Sequence, residues 1–516
     1  MQSRHEEREP NGRGALERCT TGIPGLDMIS LGGLPQGRTT LVSGSAGSGK
    51  TILAAQFLAQ GIMKKNEPGV FVTFEESPDA IRQNLISLGW DIASWEAQGL
   101  WVFVDASAQT SEAETLVVGD YDLGALLARV ERAVQQSRAC RLSMDSLGAI
   151  FTRFDDSRTI RSELFRISAA LRRFGLTSIM TAERTEEYGE ISREGVEEFV
   201  ADNVIILRNI LESERRRRTL EILKFRGLRH QRGEFPFTIL PDEGFVVIPL
   251  SEMELEYKSS DLRITSGSDE LDEMCGGGFY RDSIILVSGA TGTGKTLMVT
   301  EFIAGGVKNK ERCLLFAFEE SREQFFRNAS GWGMQLRPME EQGYLKVVCE
   351  YPETSSQEDR LVHLRRIIDE FRPDRVAIDS LSALERVSSK KGFREFVIGI
   401  TSYLKKKETS GLFTSTTPTL LGGESVTEAH ISTLTDSIIL LRYVEMFGEM
   451  RRGLTVLKMR GSQHDKNIRE FRIDGSGMHI GRAFRNVGGI LAGQIRHAET
   501  GELNRISGLF EEGGGS

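Results

Sequence analysis

Cysteine is scarce and badly spaced for bridging. The 516-residue chain has 5, at Cys19, Cys140, Cys275, Cys313 and Cys349, and no two form a CxxC pair. That excludes a disulfide framework and a cysteine zinc site, and fits a reducing compartment. Long apolar runs are missing too, so nothing reads as the ~18-residue span a membrane helix needs. Residues 1–14 are polar, lack the apolar stretch of a signal peptide and are expected to be disordered. A cytoplasmic protein is the expectation. Nor is there an excess of positive charge, because 65 Lys and Arg against 74 Asp and Glu leave −9. Nothing global draws the chain to nucleic acid or to an acidic membrane. The exception is residues 215–218, four arginines in a row. They read as a solvated loop at a hairpin tip rather than a docking or phosphate-contacting site.

What is present is one stretch that occurs twice. Gly44, Ser45, Ala46, Gly47, Ser48, Gly49, Lys50 and Thr51 fit G-x-x-x-x-G-K-[ST]. Gly289, Ala290, Thr291, Gly292, Thr293, Gly294, Lys295 and Thr296 fit it again. Each follows a short apolar run and precedes a helix-like segment, the context a P-loop needs. Glycines let the backbone turn tightly, so that successive N–H groups converge on phosphates. Lys50 and Lys295 are expected at the β/γ-phosphates of ATP, and the hydroxyls of Thr51 and Thr296 on Mg²⁺.

The whole chain is a duplication. Lys50 and Lys295 lie 245 positions apart (295 − 50), and the same offset carries Gly22, Leu26, Asp27 and Gly33 onto Gly267, Leu271, Asp272 and Gly278. Further on, Glu75-Glu76 maps to Glu319-Glu320 at 244, and Asp145 to Asp379 at 234. So long a period means two homologous domains rather than a solenoid. They are expected at residues 15–248 and 261–485, with a linker at 249–260 and a tail at 486–516. Within each, short β-branched runs alternate with helical patterns at 78–88, 123–137 and 159–174. The fold class is therefore α/β, with a mostly parallel sheet covered by helices and ligands at the carboxyl ends of its strands.

Three further constellations recur in both halves. Asp145 and Asp379 each end an apolar strand, where a carboxylate holds Mg²⁺ or merely caps a turn. Glu75-Glu76 and Glu319-Glu320 each follow an aromatic strand end, Phe74 and Phe318. There they can orient and deprotonate an attacking water or hydroxyl, or cap the next helix. Lys224-Phe225-Arg226-Gly227 and Lys458-Met459-Arg460-Gly461 close what reads as the last core strand. Their charge can stabilise a transferring phosphoryl group, their own nucleotide's or a neighbour's, or simply be solvated.

Longer stretches make the sequence specific. Residues 20–27, Glu75-Glu76-Ser77, 195–200, 381–384, 396–400, 429–436 and 458–466 together resemble the KaiC family of circadian clock ATPases. The resemblance runs from Thr20 to about Ile480. It implies two tandem RecA-like P-loop domains in a homohexameric double ring with ATP between subunits. It also implies slow hydrolysis in the N-terminal ring, and autokinase and autophosphatase activity in the C-terminal one. It carries Glu75, Glu76, Glu319 and Glu320 into catalysis, and sends Lys224, Arg226, Lys458 and Arg460 across the interface. Gly227, His230, Gly461 and Asp465 join the nucleotide contacts. Phosphoacceptors fall on Ser432 and Thr433, with Thr427 auxiliary and Arg386 stabilising the phosphate. The duplication adds an argument of its own. An offset of 234 places Ser432 and Thr433 on Glu198 and Phe199, so the N-terminal half has no hydroxyl there.

Residues 116–123 match a family segment for KaiB binding. The tail beyond about residue 484 departs from the family's KaiA-binding pattern, which leaves dependence on KaiA or on an output histidine kinase open. Two other classes stand beside the autokinase. A RecA-like DNA motor is opposed by the acidic charge, and a scaffold glued by ATP is opposed by intact Glu76 and Glu320.

Overall fold

The computed structural model describes residues 16–106, 123–151, 157–190, 201–212, 215–249, 259–417, 431–446, 448–484, 487–488 and 496–497. The chain divides into two units, Met1–Glu252 and Met253–Ser516. The first begins with a small ladder, β1 (Arg18–Cys19) against β2 (Leu34–Pro35). Nine strands then form its sheet: β3 (Thr39–Gly44), β4 (Gly69–Thr73), β5 (Trp101–Asp105), β6 (Arg141–Asp145), β7 (Thr177–Glu183), β8 (Asn203–Glu212), β9 (Arg215–Phe225), β10 (Glu234–Leu240) and β11 (Gly244–Val247). Their order is β11-β10-β9-β8-β3-β7-β6-β4-β5. From β8 to β5 neighbours run parallel, whereas β8 to β11 are antiparallel.

All six residues of β3 are buried, as a strand covered on both faces requires. Alternate residues feed two cores. Val42, Phe71, Ile179 and Ile205 pack with Leu53, Phe57 and Leu58 of the P-loop helix Lys50–Lys65. Leu41, Val70, Val72 and Val204 pack with Leu126 and Val130 of helix Leu123–Ser137 and Leu164 of helix Ser157–Arg173.

The second unit repeats this plan. β12 (Arg263–Ile264) pairs with β13 (Phe279–Tyr280). The sheet holds β14 (Ile284–Gly289), β15 (Cys313–Ala317), β16 (Leu345–Cys349), β17 (Arg375–Asp379), β18 (Ser410–Thr416), β19 (Ser437–Met446), β20 (Glu449–Met459), β21 (Arg469–Asp474) and β22 (Gly477–Ala483). Read from β22, its order β22-β21-β20-β19-β14-β18-β17-β15-β16 reproduces the first sheet strand for strand. The described part of the tail is a short ladder, β23 (Val487–Gly488) against β24 (Arg496–His497).

An arginine clamp is duplicated as well. Arg141, 1% exposed, donates to Phe57 O at 2.9 Å, to Thr20 O at 2.9 Å and to Glu67 Oε2 at 2.7 Å. Arg375, also 1% exposed, holds Phe302 O at 3.0 Å, Thr265 O at 2.7 Å and Glu311 Oε2 at 2.5 Å. Each fastens the start of a central strand to the P-loop helix and to the segment before the P-loop.

The two tandem α/β domains with mostly parallel sheets are those expected from the sequence. Two readings change. The arginines at 215–218 are not a solvated loop but open β9, where antiparallel pairing with β8 orders them; Arg217 is buried and Arg216 donates to Asn209 O at 2.8 Å. Nor is β9 the last core strand. Two antiparallel strands follow it in each unit, with Phe235, Phe237 and Phe245 turned into the core. Pro236 interrupts the strand pattern there, and its missing donor is tolerated in a short ladder with β9. The expected segment 1–14, most of the linker at 249–260 and nearly all of the tail lie outside the described residues.

Candidate functional site

Each P-loop joins a buried strand to a helix, β3 to Lys50–Lys65 and β14 to Lys295–Lys308. The helix begins after a glycine in the left-handed region, φ 92° at Gly49 and 111° at Gly294. The left-handed conformation favours glycine at both; a Cβ on Gly49 would also lie 2.7 Å from Ile239 Cδ1, and one on Gly294 2.9 Å from Ile473 Cδ1, so each isoleucine tip would have to move. Lys50 Nζ donates to Gly44 O at 2.9 Å and Ser45 O at 3.0 Å; Lys295 Nζ donates to Gly289 O and Ala290 O at 2.8 and 2.9 Å. Burial lowers both ammonium pKa values, against the pull of Glu183, Asp145, Glu75 and Glu187 at Lys50 and of Asp379 and Glu319 at Lys295. A buried ammonium tied to its own loop is poised for an anion.

The metal-binding expectations meet in space. Thr51 Oγ1 donates to Asp145 Oδ2 at 2.7 Å, and Thr296 Oγ1 to Asp379 Oδ2 at 2.7 Å. The other carboxylate oxygen of each Asp accepts from a threonine one strand over, Thr181 or Thr414. Burial raises the pKa of Asp379, with the two threonine hydroxyls opposing the shift. A hydroxyl and a carboxylate side by side are the protein oxygens a phosphate-bound Mg²⁺ needs, the remainder being water and phosphate. The peptide bonds Asp145–Ser146 and Asp379–Ser380 are both cis.

The glutamate pairs do not cap the following helices. Ser77 and Ser321 do, each accepting from a backbone N–H (Ala80 and Gln324) at 3.3 Å. Glu75 Oε1 accepts from Ser146 Oγ at 2.5 Å, and Glu319 Oε2 from Ser380 Oγ at 3.0 Å. Both glutamates are thereby drawn to the strand end that carries the Asp. Arg386 is ion-paired with Glu319. Burial, and then the charge of Asp379, raise the pKa of the Glu320 carboxyl, with the Asn328 N–H opposing the shift.

The basic strand ends lie elsewhere. β20 runs antiparallel to β19, so Lys458 faces Ile438 while the P-loop's Gly289 faces Leu441 further along. Arg460 N bonds to Asp436 O at 2.9 Å, five residues before Leu441, which is roughly 16 Å along a strand. Lys224, opposite Val204, and Arg226, whose N–H bonds to Asp202 O, stand likewise away from Gly44, opposite Leu207. Neither basic pair sits on its own P-loop.

Ser432 and Thr433 form a 3-10 turn at that same far end. Lys458 Nζ donates to Ser432 O at 2.7 Å and to Thr435 O at 2.6 Å, and Arg460 Nη2 to Thr433 O at 2.9 Å. His230 Nδ1 lies 2.9 Å from Gln231 O, Asp465 is bonded by Arg469 Nε at 2.7 Å, and Gly227 and Gly461 take positive φ. Thr427 and the stretch 116–122 lie outside the described residues. Sequence reasoning passed over Thr181, Thr414, Asn84 and Asn328. The duplication could have found them, since both pairs recur at offsets of 233 (414 − 181) and 244 (328 − 84).

Comparison with known proteins decides the family. The family described as ATPase: KaiC matches residues 19–252 and again 264–484. The chain belongs to the KaiC family. It is 66% identical over 497 residues to the circadian clock protein KaiC3 of Synechocystis, covering 96% of this chain and 98% of that one. To the circadian clock oscillator protein KaiC of Synechococcus elongatus it is 54% identical over 503 residues, covering 97% and 96%. KaiC membership makes both halves of the chain ATPase domains, each carrying one of the two P-loops. No described helix is long and apolar enough to cross a membrane.

Proposed function

We propose that the protein is an ATP-hydrolysing serine/threonine autokinase and autophosphatase at the core of a clock or timer, phosphorylating Ser432 and Thr433 between copies of itself. The N-terminal domain hydrolyses ATP slowly, and the C-terminal one transfers its γ-phosphoryl group. One observation carries the reading. Acceptor turn, Lys458 and Arg460 cluster at the end of the sheet opposite their own P-loop, held together by three hydrogen bonds to backbone carbonyls. An acceptor so far from its own nucleotide is served only by another copy's.

Mg²⁺, when bound, neutralises charge on the β- and γ-phosphates; Thr296 and Asp379 hold it in one domain, Thr51 and Asp145 in the other. Lys50 and Lys295 bind the phosphates. Glu320 takes the proton from the Thr433 or Ser432 hydroxyl as its oxygen bonds to phosphorus and the bond to the β-phosphate oxygen breaks, releasing ADP. Glu76 does the same for water. Glu75 and Glu319, anchored by Ser146 and Ser380, supply the adjacent negative charge. Lys458 and Arg460 arrive from the acceptor's side and stabilise the transferring group. Arg386 is the cation for the phosphorylated product, exchanging its pairing with Glu319 for the new phosphate.

Such transfer requires a head-to-tail contact between copies; the homohexamer with nucleotide between subunits and the KaiB-like partner on the N-terminal ring that the family resemblance implies belong to the same proposal. The names of the relatives support the clock or timer part of the reading. The test is complementation. Lys295→Ala protein carries acceptors without a working C-terminal loop, and Ser432→Ala/Thr433→Ala protein carries the loop without acceptors. Mixed with Mg-ATP, phosphate is expected on Ser432 and Thr433 of the Lys295→Ala chain. Phosphate in unmixed Lys295→Ala protein, or none in the mixture while the wild type labels itself, sinks transfer between copies.

A further inference from the structure

Two asparagines outside every motif occupy matching places beside the glutamate pairs. Asn84, on helix Pro78–Ile86, donates from Nδ2 to Glu76 Oε2 at 2.9 Å. Asn328, on helix Arg322–Gly331, donates to Glu320 Oε2 at 3.1 Å. Each bond spans eight residues, and the two lie 244 positions apart, as the glutamate pairs do. The paired glutamates are held differently. Glu75 and Glu319 are tied to the serines after the strand-ending Asp, Ser146 and Ser380, and Glu319 also to Arg386. Among the described residues, Asn84 and Asn328 are the side chains that donate to Glu76 and Glu320.

We propose that Asn84 and Asn328 are positioning residues that aim Glu76 and Glu320 at the nucleophile; this rests on the reading above that those two carboxylates accept its proton. A glutamate on a loop is free about three side-chain bonds. One N–H on Oε2 restricts that freedom and leaves Oε1 for the nucleophile. The amide is neutral, so it orients the base without placing a positive charge beside it; at Glu320 its N–H lowers the pKa, but burial and Asp379 outweigh it. The helix that carries each asparagine is itself fixed at its start by Ser77 or Ser321, directly after the glutamates. Base and orienter are therefore set by one short, capped segment. Geometry of this kind is what lets a general base act in the transition state.

The experiment uses the full-length chain, with steady-state ATP hydrolysis read for the N-terminal site and the initial rate of phosphate incorporation at Ser432 and Thr433 for the C-terminal one. Asn328→Ala and Asn328→Asp are made in Glu76→Gln protein, which isolates the C-terminal site. Asn84→Ala and Asn84→Asp are made in Glu320→Gln protein, which isolates the N-terminal one. Alanine is expected to lower the rate at its site about tenfold with KM for ATP and the melting temperature unchanged. Aspartate keeps the shape but repels the base, and is expected to lower the rate further. A merely structural asparagine would move the melting temperature and treat Asp and Ala alike. Unchanged rates in the alanine variants, or a loss that follows stability alone, overturns the proposal. Should Glu76→Gln/Glu320→Gln protein turn over ATP at the wild-type rate, the catalytic reading beneath it falls as well. Turnover lost in that double variant but retained without the asparagines overturns the positioning role alone.

Discussion

Glu301 stands in the C-terminal domain where Gln56 stands in the N-terminal one (301 − 56 = 245), and the two meet equivalent backbone with different hydrogen-bonding capacity. Gln56 Oε1 accepts the Phe245 N–H at 2.6 Å while Nε2 donates to Glu243 O and Phe245 O, each at 3.2 Å. Glu301 Oε1 accepts the Met478 N–H at 2.7 Å but, ionised, has nothing to donate. Both are buried on the P-loop helix.

Burial pushes the Glu301 carboxyl up from 4.5 to about 7, opposed by the Met478 N–H and His479 and reinforced by Glu270. A folded-state pKa above the unfolded value means stability that is full below pH 4.5 and is lost as pH rises toward 7. The shift corresponds to about 3 kcal/mol. Glu301→Gln supplies a permanent donor, so its melting temperature is expected to exceed that of the wild type at pH 8 and to converge with it near pH 5. Parallel melting curves across that range would rule this out.

Asp379 accepts from two threonines and, in the proposed mechanism, would also hold Mg²⁺. In Asp379→Asn an amide N–H faces one of the hydroxyl donors and the negative charge is gone. Hydrolysis by the C-terminal domain, read in Glu76→Gln protein, is expected to fall on the order of 100-fold, with a higher Mg²⁺ requirement. Thr414→Val removes one orienting bond and is expected to cost about tenfold. An Mg²⁺ titration separates the two effects.

Arg375 is buried against Glu311 and two backbone carbonyls. Arg375→Met is expected to destabilise the C-terminal domain by about 3–5 kcal/mol, because it strands the partly buried Glu311 and both acceptors. Arg375→Met/Glu311→Leu is expected to recover part of that loss. Urea unfolding of the three proteins gives the comparison; equal loss in single and double variants would deny the pairing.

Gly294→Ala places a methyl group 2.9 Å from Ile473 Cδ1 at a φ of 111°. The expected outcome is loss of nucleotide binding in that domain and about 1–2 kcal/mol of stability or more. Shortening the neighbour in Gly294→Ala/Ile473→Ala relieves the contact but not the backbone conformation, so fluorescent-nucleotide titration should find partial rescue at most.

How much of this was legible follows from how local each signal is. A P-loop is eight consecutive residues whose spacing alone implies the turn, and helix Leu123–Ser137 announces itself by its apolar period. The start of β9 was hidden, because the four like charges at 215–218 resemble a loop until β8 lies beside them. Asn84 and Asn328 carry no signal within either half, because a single amide on a helix has no pattern, and only the 244-residue repeat marks them. They gain a role only when the helix folds back over the glutamates eight residues earlier.

The sequence by itself determined the duplication, the α/β class, the two nucleotide loops and the residues available for acid–base and metal chemistry. Each of these depends on residue type at short spacing or on repetition along the chain. Only the tertiary structure decided which end of the sheet each group occupies. β20 reverses direction against β19, and that reversal carries Lys458 and Arg460 away from Lys295 and onto the turn of Ser432 and Thr433. Strand direction is a property of the pairing between segments, set by backbone hydrogen bonds that any sequence can make. No run of residues states it alone.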